Sequence, residues 1–488
     1  MRTAATVAVV VIWIGLVAAL VRREQPPADA PLIAVEPTDL AEPGRVARDE
    51  WFGIYQGDRK IGWAHRTSTR GERGLVFRDD TNFRLAMLGT DQRVQTSLVA
   101  ETDGSFELQG FRFRLASPAA TFSAEGDVTP KRISIEHGAG EEKSYLEIPL
   151  EEPIHLPTTL RSKLALWEAE PGSRYGATVF SPLTMKNERL SIEVKGRETI
   201  EGPNGPIETV HIAEEHQGLA ANAWIARDGT TIREQATLGF RLQREAPSVA
   251  VSGIESSAPV DLALENKIPL DGAIEAPRHA ARLRLAVGGE AADRIPDDPP
   301  RQRVSGGVLE IERESLHDPA VGANAAELEA AYTEPSPFIE SEAPEIVARA
   351  RAIVGDETDP GVKARLLVDW VEGALTQEPS VTIPSARAVL ASRRGDCNEH
   401  AVLLAALARA SDIPTRVVAG VVYSDDGFYY HAWNELWLGH WVSADAIFGQ
   451  LPADATHVKF LEGGPERHLE LADVVGRLEF TRIEENPS

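Results

Sequence analysis

Cysteine occurs once in the 488 residues, as Cys397. That scarcity excludes an internal disulfide framework and any Cys-based zinc or iron–sulfur site, and it excludes a lipoprotein anchor, which needs a cysteine just after the signal. Positive charge is also short. Lys and Arg number 50 against 75 Asp and Glu, a net charge of −25 at pH 7. This balance argues against nucleic acid as a partner, because phosphate binding draws on dense basic surfaces. Glycine and proline, 39 and 32 residues, are too few for a low-complexity chain. What remains is a globular composition, 42% hydrophobic and 26% charged, in a chain long enough for about two to four domains.

Long apolar runs are absent except at the N-terminus. From Ala4 to Val21 the chain is uncharged, and as a helix this run spans about 27 Å, close to a bilayer core. Residues 1–23 are therefore predicted to form a transmembrane anchor or signal segment. Ala28-Asp29-Ala30 resembles a signal cleavage tripeptide, but Pro31 directly after it and Arg22-Arg23-Glu24 well upstream favour an uncleaved anchor. With so little chain before the span, the bulk of the protein is placed outside the cytoplasm, periplasmic or at the cell surface. Prolines 26, 27, 31, 37 and 43 then make residues 24–47 a stiff linker.

Over residues 48–247 the hydrophobic period is two. Phe111, Phe113 and Leu115 alternate with Arg112 and Arg114, the pattern of half-buried antiparallel strands, and the region reads as one large curved sheet. Asp228-Gly229 between two such runs predicts a tight hairpin with a type I′ turn. A hydrophobic-ligand groove inside the sheet is one reading of the region, and an ordinary scaffold core is the other. Residues 248–315 carry shorter strand signals and form a β-rich connecting region.

In residues 316–488 the period becomes helical. Ile346, Ala350, Ile353 and Val354 share one face, and Leu367, Trp370 and Val371 follow an Asp359-Pro360 helix start. Ser385 is a predicted N-cap. Gly395-Asp396-Cys397 then opens an apolar helix, with Asp396 as its cap. A thiol in the first turn of a helix meets free N–H groups, and this predicts a lowered pKa. Strand patterns follow at Thr415–Tyr423, Phe428–Leu438 and Trp441–Asp445. Pairing the last two strands brings His431 and Asp445 within reach of each other. A thiol, an imidazole and a carboxylate have separable roles in acyl transfer: nucleophile, base and acid, and orienting group.

These residues resemble the transglutaminase-like superfamily of papain-like cysteine enzymes, in its bacterial membrane-anchored form. The matching pieces are Gly395-Asp396-Cys397, Ile413-Pro414-Thr415-Arg416-Val417-Val418, Tyr430-His431-Ala432-Trp433-Asn434-Glu435, and Trp441 four residues before Asp445. Phe448-Gly449-Gln450, Ala453-Asp454-Ala455-Thr456-His457 and Glu462-Gly463 continue the match. The resemblance implies that Cys397 is the nucleophile, His431 the base and acid, and Asp445 the orienting residue. Two departures stand out. Ala446-Ile447 follows Asp445 where members often have Pro-Thr, and Asp412 replaces the usual glycine before Ile-Pro.

The expected architecture is multidomain: an N-terminal transmembrane helix, a large antiparallel β-rich domain and a C-terminal α+β transglutaminase-like, papain-like domain. The expected function is extracytoplasmic, cysteine-dependent acyl transfer on amide bonds through a thioester, as a peptidase, amidase or transamidase. Its substrate would be a protein or peptide, including those of the cell envelope. No cofactor and no metal is expected. His431 and Glu435 have helical metal-pair spacing, but the alternation around them is that of a strand. His400 is read as structural, and Trp433, Trp437 and Trp441 as core. Asn398 or the Cys397 N–H is a candidate oxyanion donor. The alternatives are a non-catalytic envelope module that binds through its β-rich domain, and a cytosol-facing enzyme.

Overall fold

A computed structural model of the chain describes residues 48–483 apart from 72–73, 88, 140–142, 165, 217–218, 237–238, 255–258, 317–330, 380, 465–466 and 469–470. The predicted membrane segment and the linker lie outside the described residues. Among those described, no helix is long and apolar enough to cross a membrane.

The expected curved sheet is present. Fourteen antiparallel strands between Arg48 and Arg244 form a single sheet. Its middle is the pairing of the first strand, Arg48–Gln56, with the last, Phe240–Arg244. One meander runs outward from each of them, to Ser144–Pro149 at one edge and Arg174–Ser181 at the other. In Leu108–Ala116, Phe111, Phe113 and Leu115 are buried while Arg112 and Arg114 are exposed, so the period-two reading holds along that strand. The turn at Asp228-Gly229 differs from expectation. Only Gly229 has positive φ there (79°), and the register shifts between Trp224 and Ile225. Asp228 keeps negative φ because the loop closes by Gly229 N–H to Ala226 O and Ala226 N–H to Thr230 O, a longer loop with a bulge in which one glycine supplies the left-handed step.

The C-terminal part is built on four helices, α1 (Pro344–Val354), α2 (Pro360–Ala374), α3 (Ala386–Ser392) and α4 (Cys397–Arg409). They are followed by strands β1 (Thr415–Ser424), β2 (Gly427–Trp437), β3 (Trp441–Ala444) and β4 (His457–Glu462). Polar caps begin three of the helices. The Asp359 carboxylate accepts from Val362 N–H, Ser385 Oγ from Ala388 N–H, and the Asp396 carboxylate from Asn398 N–H. α4 is buried continuously from Glu399 to Ala408, as expected of a helix apolar on all sides. Asp412 takes the left-handed conformation at φ 63°, doing at the end of this segment what glycine would do at less cost.

The strands β1 to β4 make one mixed-order antiparallel sheet. β2 lies between β1 and β3, and β4 lies on the far side of β1. One face packs on α1, α2 and α4 through residues such as Leu367, Val402, Leu403, Val417 and Leu436. The other face packs on a small sheet of Arg282–Gly288, Gln302–Ser305, Val308–Glu312 and Glu479–Arg482, joining Val421, Phe428 and Val458 to Leu285, Ile311 and Phe480. Each fully buried Leu, Ile or Phe in these layers contributes about 1.5–3 kcal/mol. Residues 268–312 thus pack with the C-terminal sheet, and Ile268–Pro269 pairs with β2 directly. The large sheet touches this unit as well. Phe338 lies against Phe122 at 6.4 Å between ring centroids, Gln92 Nε2 donates to the Pro379 carbonyl at 3.2 Å, and Arg387 donates to the Lys143 carbonyl at 2.9 Å.

Candidate active site

Cys397 is the first residue of α4, and the start of that helix lies against the middle of β2. Cys397 Sγ accepts from the backbone N–H of Ala432, the residue after His431. The thiol therefore rests on the same stretch of strand that carries the imidazole. Cys397 keeps partial exposure, whereas His431 and Asp445 are buried at 5% and 1%. β3 pairs with β2 through Asn434 opposite Ala444. This carries Asp445, one residue beyond β3, back beneath His431, and His431 Nε2 lies 2.7 Å from Asp445 Oδ2. A carboxylate only accepts, so Nε2 bears a proton. Asp445 Oδ1 accepts the N–H of Ile447 at 2.8 Å, so the Ala446-Ile447 departure still yields a backbone donor for the carboxylate.

The expectation of a lowered thiol pKa is corrected. Burial pushes the Cys397 thiol well above its ordinary value, and the carboxylates of Asp396, Glu399 and Asp445 push it further, against the single Ala432 N–H. The reason lies in the cap. Asp396 Oδ1 takes the Asn398 N–H and Glu399 Oε2 takes the Asp396 N–H, both at 2.9 Å. The donors that would have stabilised a thiolate are already occupied by anions.

Asp445 itself is held well below the usual carboxylate range. Burial opposes its ionisation, but His431 and His457 outweigh it. His457, the first residue of β4, lies with Nε2 2.8 Å from the same Asp445 Oδ2. β4 reaches this depth because Gly420 of β1, opposite His431, has no side chain. A Cβ there would come within 1.9 Å of the Val458 carbonyl oxygen. His457 falls within the residues that carry the resemblance, which assigns it no role. Its one local signal was the Asp454-x-x-His457 spacing, which carries meaning only once β4 is known to lie beside β1.

The remaining predicted residues fall as follows. His400 is buried, its Nδ1 is 2.6 Å from the Asp396 carbonyl, and burial lowers its pKa, which fits a structural role. Trp433 is core at 1% exposure. Glu435 points away from His431 to Arg416 and Lys459 at 2.6 and 2.8 Å. Asn398 Oδ1 accepts from Tyr430 Oη at 2.8 Å and lies 2.9 Å from His468 Nδ1. Its carbonyl end is thereby fixed, and its amide N–H groups remain as candidate donors for an oxyanion. His468 gave no signal in the sequence.

His431, Asp445 and His457 offer three ligand atoms within 4.8 Å of one another. Two ligands at about 2.0–2.1 Å on a tetrahedral zinc lie about 3.3 Å apart, whereas both imidazole nitrogens sit 2.7–2.8 Å from Oδ2. The arrangement is that of hydrogen bonds. Phe448, 37% exposed, lies against His431 at 5.5 Å between rings, with the Arg278 guanidinium 4.1 Å from the Phe448 ring centroid. A cleft of about 490 Å³ opens between the 118–121 loop of the large sheet and the α3–α4 connection. It is lined by Pro118, Ala120, Ile383, Ala388, Gly395 and Glu399.

Residues 347–446 match the family model of the transglutaminase-like superfamily. No curated protein matches the chain. Among solved structures, the chain is similar to a putative cysteine protease from Cytophaga hutchinsonii (15% identity over 44% of this chain and 85% of that one, TM-score 0.28). It is also similar to the periplasmic domain of TgpA from Pseudomonas aeruginosa (15% identity over 54% and 72%, TM-score 0.24). A third is a β-barrel-like protein of a domain of unknown function from Brucella abortus (14% identity over 41% and 95%, TM-score 0.32). At these TM-scores the three likenesses carry no argument.

Proposed function

Since residues 347–446 form a transglutaminase-like domain, we propose that this protein is a cysteine-dependent acyl-transfer enzyme in which Cys397, His431 and Asp445 act on amide carbonyls of a protein or peptide. The observation that supports it most is the fixed His431 tautomer. The Nε2 proton is held by Asp445, which leaves Nδ1 as the base, and the thiol rests against the neighbouring Ala432.

Because the resting thiol is neutral, His431 works as a general base. As Sγ forms its bond to the carbonyl carbon, the thiol proton passes to Nδ1 and the carbonyl π electrons move to oxygen. The oxyanion meets the Asn398 amide or the Cys397 N–H. Collapse breaks the C–N bond, and His431 returns the proton to the leaving amine. The thioester is released by water, giving an acid, or by a second amine, giving a new amide, with His431 again accepting the proton. The acyl donor approaches Cys397 from the cleft beneath the 118–121 loop, whose lining includes Gly395 and Glu399, two residues to either side of the thiol. The apolar run 4–21 supports a membrane-tethered, extracytoplasmic setting in which cell-envelope proteins or peptides are the substrates.

The test is to incubate the full-length protein with peptide mixtures, with and without a primary amine, and to read cleavage and amine incorporation by mass spectrometry. Either product is expected from the wild type and neither from Cys397→Ser. Product formation undiminished in Cys397→Ser would overturn the reading.

A further inference from the structure

The acyl-transfer reading uses one histidine on Asp445, and the structure places two there. His457 is fully buried. Both of its ring nitrogens face acceptors. Nε2 lies 2.8 Å from Asp445 Oδ2, and Nδ1 lies 3.1 Å from the Asp454 carbonyl oxygen and 3.4 Å from Asp454 Oδ1. A neutral imidazole has one N–H and one lone pair, so one of these contacts would set a lone pair against an oxygen lone pair in a site sealed from water. Two protons, one on each nitrogen, satisfy both.

The surroundings support the charge. Asp454 has 0% exposure and is anchored by the Thr456 N–H at 2.8 Å, the Thr456 hydroxyl at 2.5 Å and the Arg278 guanidinium at 3.0 Å. Burial opposes protonation of His457, but the two carboxylates outweigh it and hold its pKa above the ordinary value. The aromatic rings around it are those of Trp433, Phe448 and His431, at 5.2, 6.2 and 5.6 Å. Of these only His431 titrates.

We propose that His457 is a positioning residue: as a buried imidazolium it anchors Asp445 from the side away from His431 and shares the carboxylate's charge. Asp445 Oδ2 then accepts from two imidazole N–H groups at once. This fixes the oxygen that orients His431, and it weakens the pull of Asp445 on the His431 proton. Removing the His457 charge leaves Asp445 to act on His431 alone, so the pH at which His431 gives up its proton should rise.

The consequence for His431 rests on the acyl-transfer reading, so the experiment has one arm that needs turnover by neither protein nor substrate. In the first arm, the rate of Cys397 alkylation by iodoacetamide is followed against pH in the full-length wild type and in His457→Gln, which keeps an N–H for Asp445 and loses the charge. The acid limb of the profile is expected to move to higher pH by about one unit, with the rate on the plateau reduced less than in His457→Phe. A purely structural His457 would lower the rate without moving the limb, and coincident acid limbs would overturn the proposal. In the second arm, ring-15N-histidine-labelled wild type is examined by long-range 15N–1H spectroscopy. One histidine with both ring protons retained and protected from exchange at pH 8 is expected, and the absence of any such ring would overturn the proposal even if His457→Gln does not fold. An alkylation rate indifferent to His431 would sink the enzyme reading alone, since the charge of His457 is still read from the spectrum.

Discussion

Two of the charge clusters among the described residues differ in depth and in character. In the large sheet, Arg66 and Arg161 are both part-buried, Arg66 ion-paired to Asp79 and Glu234, and Arg161 to Glu214 and Glu234. Burial opposes the ionisation of Glu234, yet the two guanidinium groups bring its pKa down to about 2. In the C-terminal unit, Asp445 and Asp454 are held by His431, His457 and Arg278. The first cluster takes its cations entirely from arginine, which does not release a proton in the accessible pH range. The second takes them mostly from histidine, which does. Permanent charges pin strands together, whereas histidines can take up or release a proton near neutral pH.

Several substitutions would break or sharpen this contrast. Asp445→Asn should reduce alkylation of Cys397 by a peptidyl chloromethyl ketone by about 10³–10⁴-fold, because the amide no longer fixes the His431 tautomer, with the urea midpoint changing far less than the rate. Arg161→Met should do the reverse. It leaves the buried Glu214 without Arg161 and Glu234 with Arg66 alone, and costs about 3–5 kcal/mol in urea unfolding, while the pH profile of Cys397 alkylation in the surviving folded protein stays as in wild type.

A smaller effect concerns acid. Burial, with Lys143 nearby, pushes the pKa of His137 down to about 4. Between that value and the unfolded value near 6.5 the unfolded chain binds the extra proton. Stability is therefore full above about pH 6.5 and falls as the pH drops towards 4, on the order of 3 kcal/mol from this group. His137→Gln should flatten that part of the stability curve, and a curve unchanged by the substitution would remove His137 from the account. The smallest effect is at the cap. Asn is as good an N-cap as Asp, so Asp396→Asn should leave the melting temperature within a few degrees of wild type. It removes one of the carboxylates that raise the thiol, so the midpoint of Cys397 alkylation should fall in pH. An unmoved midpoint would show that burial alone sets it.

The sequence was most informative where its signal is local. The cap residues Asp359, Ser385 and Asp396 and the alternation along Leu108–Ala116 depend on residues a few positions apart, and all appear in the structure. The contact between His431 and Asp445 was also legible, because one hairpin joins them. The His457 contact was not, since it depends on β4 returning beside β1 and on the missing side chain at Gly420. The thiol's pKa was misjudged for a related reason. Helix position was visible in the sequence, but which anions would occupy the free amides was a matter of side-chain geometry. The packing of residues 268–312 against the C-terminal sheet likewise involves partners more than a hundred residues apart.

The central claim is that His431 activates a thiol that is neutral at rest. It is tested most directly by the alkylation rate of Cys397, the one thiol in the chain, against pH in the wild type and in His431→Ala. The account predicts that the wild type reacts more than tenfold faster at pH 7, and that the two profiles converge at alkaline pH, where the thiol ionises unaided. Superimposable profiles across the whole range would contradict it.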